Sequence, residues 1–102
     1  MAKKNILIRS KLKKARSLFA SNQLAEAQAL LDQIVKVDQR NAEAWLMRGV
    51  LAGKQGDFNH AFDFIKQALA LRPGDVQILY NFGIALRGSG DLERAMATFK
   101  KV

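Results

Sequence analysis

Residues 34 apart in this chain match one another in chemical character, and that period constrains the fold more tightly than any other feature of the sequence. Ala15, Gly49 and Gly83 share one register, as do Leu18, Ala52 and Leu86. Asn22, Gly56 and Gly90 come next, followed by Gln23, Asp57 and Asp91, then Leu24, Phe58 and Leu92. Ala27, Ala61 and Ala95 are identical, while Leu31, Ile65 and Phe99 are all large and apolar. Ile34, Ala68 and Val102 match in character, and Asn41 corresponds to Asp75. The stretch from Asn41 to Asp75 is one complete unit of this pattern.

Each matched set has a physical reason. Trp45, Gly49 and Ala52 stand at i, i+4 and i+7, one face of a helix, and Leu79, Gly83 and Leu86 repeat the arrangement. The small central residue lets a second helix come close, and Ala61 and Ala95 are small residues to meet it. Ala61, Ile65 and Ala68 form the face of that second helix. Gly56 and Gly90 suit a left-handed turn position, where Asn22 is the next best choice. Asp57 and Asp91 follow as helix N-caps. Arg72-Pro73-Gly74-Asp75 ends one helix and caps the next.

With these residues in place, the sequence resembles the tetratricopeptide repeat family over residues 8–102. Trp45, Gly49, Ala61, Ile65, Ala68 and Pro73 carry the resemblance in the middle unit. Phe82, Gly83, Leu86, Ala95 and Phe99 carry it in the third. Arg48 departs from the usual apolar residue before the glycine, and Ala52 from the usual aromatic. The first unit departs further: Lys11 stands where Trp45 does, Gln39 where Pro73 does, and Gln23 where the capping Asp57 does. The resemblance implies an all-α fold, a right-handed alpha-alpha superhelix of antiparallel helix pairs.

The expected organisation is a basic arm over 1–7, a first unit over 8–41, a second over 42–75 and an incomplete third over 76–102. Helices are expected from near Asn5 or Ile8 to Ala20, then over 24–37, 42–54, 58–71, 76–87 and 92–102. By the register, the last helix should continue and meet a proline-like stop. The sequence therefore reads as part of a longer protein, or as a chain whose open end, at Met96 and Phe99, pairs with another copy.

Charge is distributed unevenly. Residues 1–16 hold seven basic side chains and no acid, whereas the other 86 residues hold 10 basic and nine acidic ones. A basic first helix could meet nucleic acid or an anionic membrane. No aromatic platform interleaves its charges, so neither partner is favoured, and the charge reads more simply as the solvated outer face of a solenoid end. No apolar run approaches the roughly 18 residues of a membrane span, no signal peptide is visible and cysteine is absent, so a cytoplasmic protein is expected.

The resemblance also implies a site. In stacked hairpins the first helix of each pair lines a concave groove. The corresponding positions are Arg9, Leu12, Arg16 and Phe19 in the first unit, Glu43, Leu46, Val50 and Lys54 in the second, and Gln77, Tyr80, Ile84 and Arg87 in the third. Leu12, Phe19, Leu46, Val50, Tyr80 and Ile84 would offer an apolar stripe. Arg16, Lys54 and Arg87 would offer charge-assisted bonds. The implied partner is a protein or peptide with apolar anchors and acidic flanks. The Lys/Asn/Asn/Lys/Arg set with which some relatives hold acidic C-terminal tails has no counterpart at Leu12, Arg16, Met47, Gln77 and Asn81.

No catalytic constellation is visible, and no cofactor or metal is expected. His60 is the lone histidine and reads as a surface residue. Asp57, Asp75 and Asp91 are accounted for as caps. Gly49-Val50-Leu51-Ala52-Gly53-Lys54 is one residue short of a phosphate loop and lies within a helix. Because similar repeats often precede the catalytic domain of bacterial transferases, the alternative to a free-standing interaction module is a docking segment of such an enzyme.

Overall fold

In the computed structural model, which describes residues 2–102, the chain forms six α-helices. They are α1 (Ala2–Ala20), α2 (Leu24–Val37), α3 (Ala42–Lys54), α4 (Phe58–Leu71), α5 (Val76–Gly88) and α6 (Leu92–Phe99). The middle four agree with the sequence reading to within a residue. The ends differ. Residues 2–7, expected as an arm, are the first turns of α1, because nothing among their Lys, Leu and Ile side chains breaks a helix. Met1 lies outside the described residues. At the other end, α6 stops at Phe99, and Lys100–Lys101 form a turn.

The helices pair as hairpins, α1 with α2, α3 with α4 and α5 with α6, and the hairpins stack through α2 on α3 and α4 on α5. The result is an elongated body of 44 × 26 × 19 Å. It is the expected all-α superhelix of antiparallel pairs.

Local chemistry sets the hairpin angles. Asn22 (φ 61°), Gly56 (φ 79°) and Gly90 (φ 91°) hold the left-handed turn position in the three hairpins. The side chains of Asn41, Asp57, Asp75 and Asp91 accept hydrogen bonds from the backbone N–H groups of Ala44, His60, Ile78 and Arg94 at 3.0–3.2 Å. Gln23 makes no such bond. Within the second hairpin, α3 and α4 meet at Gly49, where an added Cβ would collide with the Ile65 side chain and press on the Ala61 carbonyl. Gly83 faces the Phe99 ring in the same way, one period later.

Two apolar clusters form the core, and both draw on α3. Ala44 and Leu51 join Ile8, Leu12, Ala15, Ala27, Leu31 and Ile34. Ala42, Leu46 and Ala52 join Ala61, Ile65, Ala68, Ile78 and Ala85. Arg48, the departure noted before Gly49, ties the first hairpin to the second. Its Nε donates to Asp32 Oδ1 at 2.8 Å, its guanidinium lies 4.6 Å from the centre of the Phe64 ring, and its side chain is only 12 % exposed. Phe64 also stacks on Trp45, whose indole N–H donates to the Gln39 carbonyl at 2.9 Å.

Candidate partner-binding groove

A cleft of about 510 Å³ runs across α1, α3 and α5, the first helix of each hairpin. Arg16, Phe19, Glu43, Leu46, Val50 and Gln77, all singled out from the sequence, line it. So do Met47, Ile78 and Asn81, and Arg72 and Asp75 from the turn between α4 and α5. A smaller cleft of about 280 Å³ adjoins it, sharing Val50 and Asn81 and adding Lys54 and Ile84.

Several sequence-derived residues sit elsewhere. Leu12 is a core residue, 6 % exposed, packed with Ile8, Ala15 and Leu31, and it offers a ligand nothing. Leu46, its counterpart one period on, is 8 % exposed and reaches the cleft wall. Tyr80, the next in that register, is 52 % exposed, but it lies outside both clefts and leans on Phe99 at 5.9 Å between ring centres. Residues of equal register thus differ in burial, Leu12 and Leu46 being covered and Tyr80 open. The reason is that Leu12 and Leu46 belong to hairpins with another stacked beyond them, while Tyr80 has no following helix among the described residues. Arg87 is exposed and lines neither cleft. Met96 is 62 % exposed and Phe99 half-buried at the end of the stack.

The charges of the groove are partly spent on one another. Arg16 Nη1 donates to Glu43 Oε1 at 2.8 Å, joining α1 to α3 across the cleft wall. Both side chains are substantially exposed, so the pair is worth no more than about 1 kcal/mol and yields readily to a ligand. Lys54 Nζ sits 4.7 Å from the centre of the Phe19 ring. Asp75 is engaged as the cap of α5. Arg72 makes no ion pair among the described residues, which leaves it the uncommitted cation of the main cleft. Arg72 is not legible from the sequence as a groove residue, because Arg72-Pro73-Gly74-Asp75 has the form of a helix stop. Nor is Asn81, whose Nδ2 donates to the Gln77 carbonyl at 2.9 Å and which the register presents only as a position of the absent tail-holding set.

His60 is a surface residue, with its ring Nδ1 2.6 Å from Asp57 Oδ2. The backbone N–H of His60 bonds the Asp57 carboxylate, and its ring adds a second bond, so the Asp57 carboxyl is held below its ordinary value of 3.8. No helix among the described residues is long and apolar enough to cross a membrane.

Family models described as tetratricopeptide repeat match residues 12–76 and 54–102. Over 87 residues the chain is 32 % identical to a probable UDP-N-acetylglucosamine–peptide N-acetylglucosaminyltransferase, SPINDLY, of Arabidopsis thaliana, covering 85 % of this chain and 10 % of that protein. It is 31 % identical over 74 residues to the photosystem I assembly protein Ycf3 of Prochlorococcus marinus, covering 68 % of this chain and 43 % of that one. Among solved structures, a mutant O-GlcNAc transferase of Thermobaculum terrenum superposes with a TM-score of 0.89 at 26 % identity, over 92 % of this chain and 18 % of that one. The chain thus spans less than half the length of each of these three proteins.

Proposed function

The chain belongs to the tetratricopeptide repeat family, and on that premise we propose that it is a non-catalytic interaction module that takes a segment of a partner protein into the cleft across α1, α3 and α5. The observation that carries this reading is the cleft itself. One continuous surface is built from the first helix of all three hairpins, with Phe19, Leu46, Val50 and Ile78 on its walls and charge at its rim. An extended or helical segment would set apolar side chains against those walls. Its acidic flank would meet Arg72, which makes no ion pair among the described residues, and could take Arg16 from Glu43.

The test is a paired capture from a lysate of the source organism with the intact chain and an Arg72→Glu/Gln77→Ala variant. Both positions are exposed, so helicity should be unchanged. Proteins held by the intact chain should be lost from the variant, and capture of the same set by both would refute the groove.

A second reading makes the chain a docking segment attached to a transferase. It draws on the similarity to two N-acetylglucosaminyl-transferring proteins, of which this chain matches 10 % and 18 %. The content of the full reading frame around these residues decides it.

A further inference from the structure

At the α1 end of the stack, away from the groove, lies a second recessed surface. It is a cleft of about 540 Å³ between the start of α1 and the end of α2. Its floor is apolar, made by Leu7 and Ile8 of α1 and Ile34 and Val37 of α2. Leu7 is 60 % exposed and Val37 54 %, high values for large apolar side chains. Its rim is Lys3, Lys4 and Lys11, none with an ion-pair partner among the described residues. In the sequence this charge has the form of a solvated face, and nothing there indicates the apolar floor beneath it.

The 34-residue register explains why the cleft exists. Lys11 stands where Trp45 stands in the second hairpin. There the indole packs on Phe64 and against the cluster containing Ala68, the counterpart of Ile34. In the first hairpin a lysine holds the place of the indole, and the space beside Ile34 stays open. The register also indicates what approaches this face. The corresponding face of α3 is covered by α2, and that of α5 by α4. Arg48 on α3 receives Asp32 from the covering helix, and Phe82 on α5 meets Phe62 of its covering helix at 5.2 Å between ring centres. Lys14 is the counterpart of Arg48 on α1. A helix seated on α1 as α2 sits on α3 would therefore face Lys14 where Asp32 faces Arg48.

We propose that the α1 end of the solenoid is a docking face for an acidic amphipathic helix of a partner protein, which sets a bulky apolar side chain in the cleft beside Lys11 and carboxylates against Lys3, Lys4, Lys11 and Lys14. A concave apolar floor suits a protruding side chain better than the flat surface of a bilayer. Nucleic acid could pair with the lysines, but its bases bind by stacking on aromatic faces, and Leu7, Ile8, Ile34 and Val37 offer none.

The test uses the full chain and four probes: a dye-labelled helical peptide with Leu and Trp on one stripe and Glu on both flanks, the same peptide with Lys in place of Glu, anionic phosphatidylserine vesicles, and a single-stranded oligonucleotide. Fluorescence anisotropy reports affinity, and backbone amide shifts report the place. The Glu peptide should bind with shifts at 3–14 and 34–37, separate from any it causes at the groove residues Phe19, Leu46 and Gln77. Lys11→Glu should weaken it about tenfold or more, the loss of about 1.4 kcal/mol. Lys11→Trp should fill the cleft from within, raise the unfolding temperature and displace the peptide, so loss of binding there cannot be misfolding. Arg72→Glu should remove any shifts at the groove and leave the affinity at the α1 end unchanged. Equal binding of the Lys peptide, or vesicles or oligonucleotide giving these shifts while the Glu peptide gives none, would overturn the proposal. So would occupation of the face by a second copy of the chain, seen as concentration-dependent loss of peptide binding.

Discussion

Gln23 precedes α2 as Asp57 and Asp91 precede α4 and α6, and it is the one member of the set whose side chain does not bond the helix it introduces. The physical reason is length. A cap must fold back on the N–H two or three residues ahead, and the extra methylene of glutamine overshoots where aspartate fits. Gln23→Asp should restore the bond and add negative charge at the positive end of the α2 dipole. Stability should rise by about 1 kcal/mol, read as a higher urea midpoint at unchanged slope. Asp57, with the N–H and ring of His60 beside it, shows the sign of the pH dependence of a charged cap. The N–H of His60, and then its ring, hold that carboxyl below its ordinary 3.8. A carboxyl lowered in the folded state stabilises above its unfolded value and loses that contribution as pH falls through its folded value. The cap made by Gln23→Asp would have the N–H of Glu26 to bond but a carboxylate in place of the His60 ring, so its gain should be present at neutral pH, where the cap is charged, and fade as that carboxyl protonates in acid. A gain that persists into stronger acid would mean that the added residue acts by some means other than a charged cap.

The face that α3 turns toward α2 is where the first and second hairpins are fastened, and Arg48 is its polar contact. The guanidinium is mostly covered, sandwiched between the Phe64 ring and the Asp32 carboxylate, while Asp32 itself keeps 52 % of its exposure. Removing the carboxylate leaves a largely buried cation with only a ring for company. Removing the arginine leaves an aspartate that water can serve. The two single substitutions should therefore be unequal. Asp32→Ala should cost about 1–2 kcal/mol and Arg48→Met less, with a positive coupling in the double-mutant cycle. Additive costs in urea unfolding would make the contact incidental. This element also marks the limit of what the sequence disclosed. Helix bounds, turn residues and caps were legible because each is set by neighbours within four residues or by the 34-residue period. Arg48 was legible only as a departure from the family pattern, because its partner lies 16 residues back on another helix. For the groove, the period identified which positions share a face. It could not tell that Leu12 would be buried and Tyr80 left open, because that depends on which hairpins have neighbours.

At the scale of the whole molecule, stability is carried from hairpin to hairpin, with no central core common to all six helices. The two apolar clusters are joined through α3 alone, which supplies Ala44 and Leu51 to one and Ala42, Leu46 and Ala52 to the other. In such a stack each hairpin depends on its own packing and on the interface with its neighbour. The position of a cavity should then matter as much as its size. Leu31 and Leu51 allow a matched comparison. Both are fully buried leucines of the first cluster, but Leu31 lies on α2 and Leu51 on the shared α3. Truncation to alanine should cost about 2–5 kcal/mol at either site. Native-state hydrogen exchange should separate them. Leu31→Ala should lower protection in α1 and α2 and spare α4 to α6. Leu51→Ala should lower it in those helices and in α4 as well, because loosening α3 also frees Ala42, Leu46 and Ala52 from the second cluster. If both substitutions lower protection uniformly along the chain, the stack unfolds as one unit and α3 is no junction. If Leu51→Ala spares α4, the second cluster holds without the support of the first. The groove would then keep its α3 and α5 walls even while α1, with Arg16 and Phe19, is displaced.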